Sequence, residues 1–154
     1  MNYVWALDIS LSNTGVCIFD LNGIPVKLFS ISTDARCEHK ERLKTIADSL
    51  LENRKIYPTE TVVLESGFFR FIKSTQAIYK VIGLVTYLFN DCEQILYPPS
   101  SVKKIVSGSG ETNKEGIRKI VSKKFPELSF DDNDQSDAVG IGMCYFSMKD
   151  KEGK

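Results

Sequence analysis

The sequence predicts an α/β fold: a mixed five-stranded sheet, built from a three-strand antiparallel meander plus two parallel strands, flanked by helices. Three observations predict it. Short apolar runs at 3–7 and 61–64 each end in a single carboxylate, Asp8 and Glu65. An unbroken apolar run of that length suits a strand buried on both faces. Leu21-Asn22-Gly23 separates two further strand-like runs, and Asn-Gly accepts the positive φ that a tight hairpin turn requires. Segments of helical spacing precede the fourth and fifth strands, as helical crossovers between parallel strands do.

Tyr3 to Leu7 runs into Asp8, and residues 9–15 turn the chain into a second strand, Gly15 to Asp20. Pro25 to Ile31 pairs back as the third strand, and the polar residues 32–39 form a loop carrying the only histidine, His39, read as surface. From Lys40 to Asn53 the apolar residues Leu43, Ile46, Ala47, Leu50 and Leu51 follow helical spacing. Thr61 to Leu64 is a buried strand that ends at Glu65. A helix from Ser74 to about Phe89 carries the apolar face Ala77, Ile78, Val81, Leu84, Val85 and Leu88, and Gln94 to Tyr97 is the fifth strand.

Ser100 is expected to cap a short helix over 101–106, and Asn113 a basic helix ending at Phe125. The last helix opens near Asp134 and passes through Ala138, Ile141 and Tyr145. Gly140 and Gly142 cost that helix about 1 kcal/mol each relative to alanine, which is tolerable if it must press closely on the sheet. The tail is expected to fray from about residue 149.

A chain of 154 residues with 42% hydrophobic residues is expected to form a single domain over residues 1–154 with a real core. No segment approaches the roughly 20 apolar residues of a membrane helix, and the start lacks the basic and apolar regions of a signal peptide, so the expected location is cytoplasmic. The four cysteines are far apart with no CxxC pair, and Cys17 and Cys144 lie in apolar runs as reduced core residues. Ser107-Gly108-Ser109-Gly110 lacks the trailing Gly-Lys-Ser/Thr of a nucleotide P-loop.

Formal net charge is zero, but the charge is segregated. Between Ser100 and Lys124 stand Lys103, Lys104, Lys114, Arg118, Lys119, Lys123 and Lys124, against Glu111 and Glu115 alone. From Glu127 to Asp137 there are five acids and no base. A basic surface beside an acidic pocket suits an enzyme that grips a polyanion and holds cations against it, although solvated helix faces would look similar. Phe68-Phe69-Arg70-Phe71-Ile72-Lys73 combines aromatics and bases outside any strand. It reads either as core or interface packing or as a stacking wedge for nucleic-acid bases.

Asp8 and Glu65 are expected at the ends of neighbouring strands. Asp134 and Asp137, three residues apart, share one helix face near its N-terminus. Each has an innocent reading: a turn cap for Asp8, the helix dipole for the pair. Four carboxylates at one sheet edge would nonetheless repel strongly without cations. Oxygen ligands with no His or Cys select Mg²⁺ or Mn²⁺ over zinc. A pair of such ions about 4 Å apart is the arrangement that activates a water and stabilises the leaving oxygen of a phosphodiester, without a side-chain nucleophile.

Over nearly its whole length the chain resembles RuvC-type Holliday-junction resolvases, members of the ribonuclease H-like nucleases. Asp8-x6-Gly15 with Ser12 and Thr14 is similar to the family's opening Asp-Pro-Gly-Ser-x-x-Thr-Gly turn, with Ile9 and Ser10 in place of Pro and Gly. Glu65 followed by Phe68 resembles its Glu-x-x-Phe element. Val102-Lys103-Lys104-x-Val106-x-Gly108-x-Gly110 with Lys114 resembles a further RuvC segment, and Asp134-x-x-Asp137-Ala138 its closing acid pair.

The resemblance implies a homodimer that binds four-way DNA junctions and nicks two strands symmetrically, leaving 5′-phosphate and 3′-hydroxyl ends. It implies that Asp8, Glu65, Asp134 and Asp137 hold two Mg²⁺ or Mn²⁺ ions, that Lys114 contacts DNA near the scissile phosphate, and that Phe68 is the wedge. Phe69, Arg70, Lys73, Lys103, Lys104 and Arg118 complete the expected DNA-facing set. The alternatives are a related nuclease acting on other branched or flapped DNA, and a junction binder that does not cut. The Asp-x6-Gly turn also resembles the phosphate turn of sugar kinases and actin-like ATPases, but those need two such domains and this chain is too short for both.

Overall fold

The computed structural model describes residues 2–65, 72–108 and 113–152, with backbone only at 72–75, 114 and 152. Its elements run β1 (Tyr3–Asp8), β2 (Asn13–Phe19), β3 (Pro25–Ser32), α1 (His39–Ile56), β4 (Thr59–Glu65), α2 (Ile72–Leu88), β5 (Glu93–Tyr97), α3 (Pro99–Ser107), α4 (Lys114–Lys124) and α5 (Asn133–Glu152). The strands form one sheet in the order β3-β2-β1-β4-β5. β1, β2 and β3 pair antiparallel, and β4 and β5 add parallel to β1 and to each other. This is the expected mixed sheet of a meander and two crossover strands.

Strand side chains alternate between faces, and that alternation divides the interior into two cores. Trp5, Leu7, Val16, Ile18, Val62 and Leu64 pack with Ile46 and Leu50 of α1 and Val81 and Val85 of α2. Val4, Ala6, Cys17, Phe19 and Val63 pack on the other face with Val102, Ile117, Val121, Ala138 and Ile141 of α3, α4 and α5. Both faces of the central strands are thus covered, which is why β1 reads as an unbroken apolar run. Removing a fully buried aliphatic side chain from water contributes about 1.5–3 kcal/mol, so the two layers of helices are held mainly by these residues.

The β2–β3 hairpin turns through Gly23, whose φ is +80°. Asp20 organises it as much as the Asn-Gly pair does: its Oδ1 accepts from the Asn22 amide at 2.9 Å and the Ile24 amide at 2.8 Å.

Several boundaries differ from the sequence reading. α1 begins at His39, where the Glu41 carboxylate accepts from the Glu38 amide at 3.0 Å as half of a capping box. α3 is capped at Pro98, not Ser100, because Pro99 fits the first helical position with its φ already set. Asn113 does cap α4, its Oδ1 accepting from the Gly116 amide at 2.9 Å. α5 continues through Glu152, beyond the point where fraying is expected. Met148 packs on the core there, and Lys149 Nζ donates to Tyr145 Oη at 3.4 Å. Cys17 and Cys144 are buried free thiols. Among the described residues no helix is long and apolar enough to cross a membrane.

Candidate metal centre at the sheet rim

Asp8 ends β1 and pairs with Gly15 of β2, which pairs in turn with Ser30 of β3. On the other side Leu7 pairs with Leu64, so Glu65 stands one step beyond that pair, beside Asp8. By alternation Asp8 continues the row of Val4 and Ala6, and Glu65 that of Val63, so both carboxylates leave the sheet on the α5 face.

Gly15 admits α5 to that face. A Cβ built there would stand 2.1 Å from the Asp134 carbonyl oxygen and 2.9 Å from the Gln135 amide nitrogen. Only glycine lets the helix start rest on β2, and this contact delivers the helix acids to the strand acid. One carboxylate oxygen each from Asp8, Asp134 and Asp137 lies within 4.8 Å of the others, all three residues being half-buried. Farther along α5, Gly142 makes a similar close approach to Phe19 of β2, whereas Gly140 faces Ile117 of α4 instead of the sheet.

The helix start is tied down at many points. Asp132 Oδ1 accepts from the Gln135 amide at 2.9 Å, and Asp132 Oδ2 accepts from Ser30 Oγ at 2.6 Å and Asn13 Nδ2 at 3.0 Å. Burial pushes the Asp132 carboxyl up, but the bonds from Ser30, the Gln135 amide, Asn13 and the Asp134 amide outweigh it and hold the group below the usual range. Gln135 is buried and closes a ring with Asp131 in which each residue donates to the other, at 3.0 and 3.2 Å.

The turn between β1 and β2 is equally fixed. Ser10 Oγ donates to the Asn13 carbonyl at 2.8 Å and accepts its amide at 2.9 Å, and Thr14 Oγ1 donates to the Ser10 carbonyl at 2.7 Å. Ile9 is buried. Ile9 and Ser10, which stand where the resembled motif has Pro and Gly, thus hold this turn by packing and hydroxyl bonding.

Glu65 lies outside the close trio but lines one pocket with Asp8 and Asp137, closed by Pro99, Val102 and Lys103 of α3 and Ile117 of α4. Of the expected DNA-facing bases, Lys103 thus stands at the acids and Lys104 is exposed on the same helix. Arg118 is engaged within the chain, donating to the Phe130 carbonyl at 3.1 Å and Asn133 Oδ1 at 3.2 Å. Lys73 and Lys114 are placed in α2 and α4 by backbone alone, and Phe68, Phe69 and Arg70 lie outside the described residues.

Three carboxylates with converging oxygens and no nitrogen or sulfur donor suit a hard divalent cation. Asn13 and Asp132 are the members of this site that sequence reasoning misses. Asn13 lies 119 and 121 residues from Asp132 and Asp134, and Asp132 lies 102 from Ser30, so the only local signal is the N-cap position of Asp132.

A five-stranded mixed sheet of this order, with acids gathered where β1 meets the start of the last helix, defines a ribonuclease H-like fold. The model of the family described as "Crossover junction endodeoxyribonuclease RuvC" matches residues 5–145, and the chain belongs to that family. Relatives of the same description include one from Bartonella tribocorum, 29% identical over 90% of this chain and 85% of its own length. Another, from Dehalococcoides mccartyi, is 30% identical over 77% of this chain and 74% of its own. Among solved structures, Thermus thermophilus RuvC in complex with a Holliday junction substrate superposes with a TM-score of 0.83 at 21% identity, covering 97% of both chains. The Fowlpox virus resolvase in complex with Holliday junction DNA gives 0.62 at 16% identity, over 94% of this chain and 99% of that one.

Proposed function

We propose that this chain is a crossover junction endonuclease that binds four-way DNA junctions and resolves them by paired, metal-dependent nicking, leaving 5′-phosphate and 3′-hydroxyl ends. The observation that carries this reading is the convergence of Asp8, Asp134 and Asp137 within 4.8 Å at the rim of the sheet in a member of the RuvC family.

Asp8, Asp134 and Asp137, with Glu65, which shares a pocket with Asp8 and Asp137, would hold Mg²⁺ or Mn²⁺, two ions per site. Divalent cations there supply charge neutralisation at the phosphate and an activated water. Lys103 beside the acids, with Lys104, Lys114 and the rest of the basic α3–α4 surface, positions the DNA backbone. Phe68 is assigned as the wedge at the junction bases, with Phe69, Arg70 and Lys73 adjoining it.

Symmetric cutting requires two active sites, so the working form is a homodimer. A face of α2 suits the second copy. Tyr79 and Tyr87, 57% and 74% exposed, stand one turn on either side of Gly83, and a Cβ on Gly83 would have nothing within 4 Å. A helix could approach closely there between two amphipathic rings.

The test incubates the protein and its Asp137→Asn variant with a mobile four-way junction, a flap and a linear duplex, with and without Mg²⁺. The expected result is paired, Mg²⁺-dependent nicks in the junction alone, with the variant binding the junction but not cutting it. Cutting of the flap in preference to the junction would reassign the substrate, and normal cutting by the variant would remove Asp137 from the site.

A further inference from the structure

Asp134 is held by Asn13, which stands at an unspecified position of the Asp8-x6-Gly15 turn, between Ser12 and Thr14. Asn13 Nδ2 donates to Asp134 Oδ2 at 2.7 Å and to Asp132 Oδ2 at 3.0 Å. An amide nitrogen has two hydrogens, so both bonds can be made at once. The other end of the amide is fixed as well, since Asn13 Oδ1 accepts from Ser32 Oγ at 2.6 Å. Asn13 and Ser32 are a register pair at the ends of β2 and β3, one pair beyond Thr14–Ile31 and so on the same sheet face as the Ser30–Gly15–Asp8 row. Ser30 holds Asp132 in turn at 2.6 Å. The amide can face only one way, because ionised carboxylates accept and never donate.

A neutral amide suits this position better than a cation. It satisfies one Asp134 oxygen and separates two like-charged neighbours, without cancelling the negative charge that draws metal ions to the site.

We propose that Asn13, locked by Ser32 and Asp132, is a positioning residue that holds the Asp134 carboxylate in its metal-binding orientation. The inference rests on the reading of the acid cluster as a divalent-metal site. Groups that hydrogen-bond to a metal ligand typically change metal affinity or activity by about 10–100-fold when removed.

The test is Mn²⁺ titration of the metal-free protein by calorimetry, without DNA, on the wild type and the variants Asn13→Leu, Ser32→Ala and Asp137→Asn. Leucine keeps nearly the shape of asparagine and removes both donors. Asn13→Leu is expected to bind Mn²⁺ about 10–100-fold more weakly, and Ser32→Ala to shift in the same direction by less. In junction nicking, Asn13→Leu should need correspondingly more Mn²⁺ for half-maximal rate and recover most of kcat at saturation, a rescue that general misfolding would not allow. Asp137→Asn separates the two layers of the argument. Wild-type Mn²⁺ binding by that variant overturns the metal-site reading itself. Weakened binding by Asp137→Asn with unchanged binding by Asn13→Leu and Ser32→Ala overturns the role of Asn13 alone. Should Asn13→Leu fail to fold, Ser32→Ala decides the matter by the same criterion.

Discussion

Adding one methyl group at Gly15 should disable this site more than it destabilises the protein. The new Cβ would stand 2.1 Å from the Asp134 carbonyl oxygen and 2.3 Å from its carbonyl carbon, and ordinary contact begins near 3.4 Å. The obstacle is backbone, so no side chain can rotate away, and the start of α5 must retreat by about 1.3 Å, the difference between those distances. Asp134 and Asp137 would move with it, away from Asp8, in a cluster whose oxygens now lie within 4.8 Å of one another. Mg²⁺ demands near-ideal geometry at about 2.0–2.1 Å, and a 1 Å misplacement at a reacting centre can cost about 100-fold. Overpacking a close contact costs about 1–3 kcal/mol, which for a domain of this size is a loss of roughly 2–12 °C in Tm. Gly15→Ala is therefore expected to fold and to nick junctions at least about 100-fold more slowly. Junction nicking in Mg²⁺ gives the rate. Fluorescence of Trp5, the sole tryptophan and fully buried, follows unfolding. Gly142→Ala is the control, because its Cβ would strike the buried Phe19 ring at 2.1 Å, far from the acids on the same helix. It should lose stability and keep most of its rate per folded molecule. Wild-type nicking by Gly15→Ala would refute the claim that close docking of α5 on β2 sets the acid geometry.

Lys114→Ala should slow nicking by about 10-fold or more while leaving the thermal unfolding curve in place, as loss of one contact made in the transition state does; an unchanged rate would make Lys114 an ordinary surface lysine. Phe68→Ala should impair cleavage more than junction affinity, measured side by side by nicking and gel shift, and an equal loss of both would point to packing. The Cys144 thiol is pushed up to about 11, first by burial and then by the charge of Glu65. Together with buried Cys17 it should stay protonated and unreactive to a thiol reagent at pH 7 until the protein unfolds, while exposed Cys37 reacts at once. Rapid labelling of all four cysteines in the native state would contradict the two-core arrangement.

What the sequence made legible was whatever repeats or acts locally. The apolar runs of β1 and β4, the helical spacing of α1 and α2, and the Asn113 cap are visible because each depends on neighbours a few residues away. Asp8 and Glu65 stood out because a carboxylate at the end of an apolar run is costly without a reason. Three other features depend on contacts that close only when the chain is folded. Gly15 looks like a turn residue until α5 lies on it. Arg118 looks like one more base in a DNA-facing run until its bonds to Phe130 and Asn133 are seen. Asn13 looks like turn filler until Asp134, 121 residues away, arrives beside it.

Two of these residues, Asn13 and Gly15, belong to one piece of backbone, the turn after β1 and its exit into β2. On one side of it, buried Arg42 donates to Ser12 Oγ at 3.1 Å and to Thr33 Oγ1 at 2.8 Å, pinning the turn to α1 and the end of β3. On the other, Asn13 reaches across to Asp132 and Asp134 at the start of α5. Asp8 enters this turn from β1 and Gly15 leaves it in β2, so the strand acid and the docking point for the helix acids share one short, doubly anchored segment. Repulsion among the carboxylates would push a loosely held helix start away from the sheet. The turn resists that push, because moving α5 outward would break the Asn13 bonds, which are braced in turn by Ser32 and Ser30. Acids can be recognised one at a time along a sequence, but holding them together against their own charge is a property of the segment that joins them.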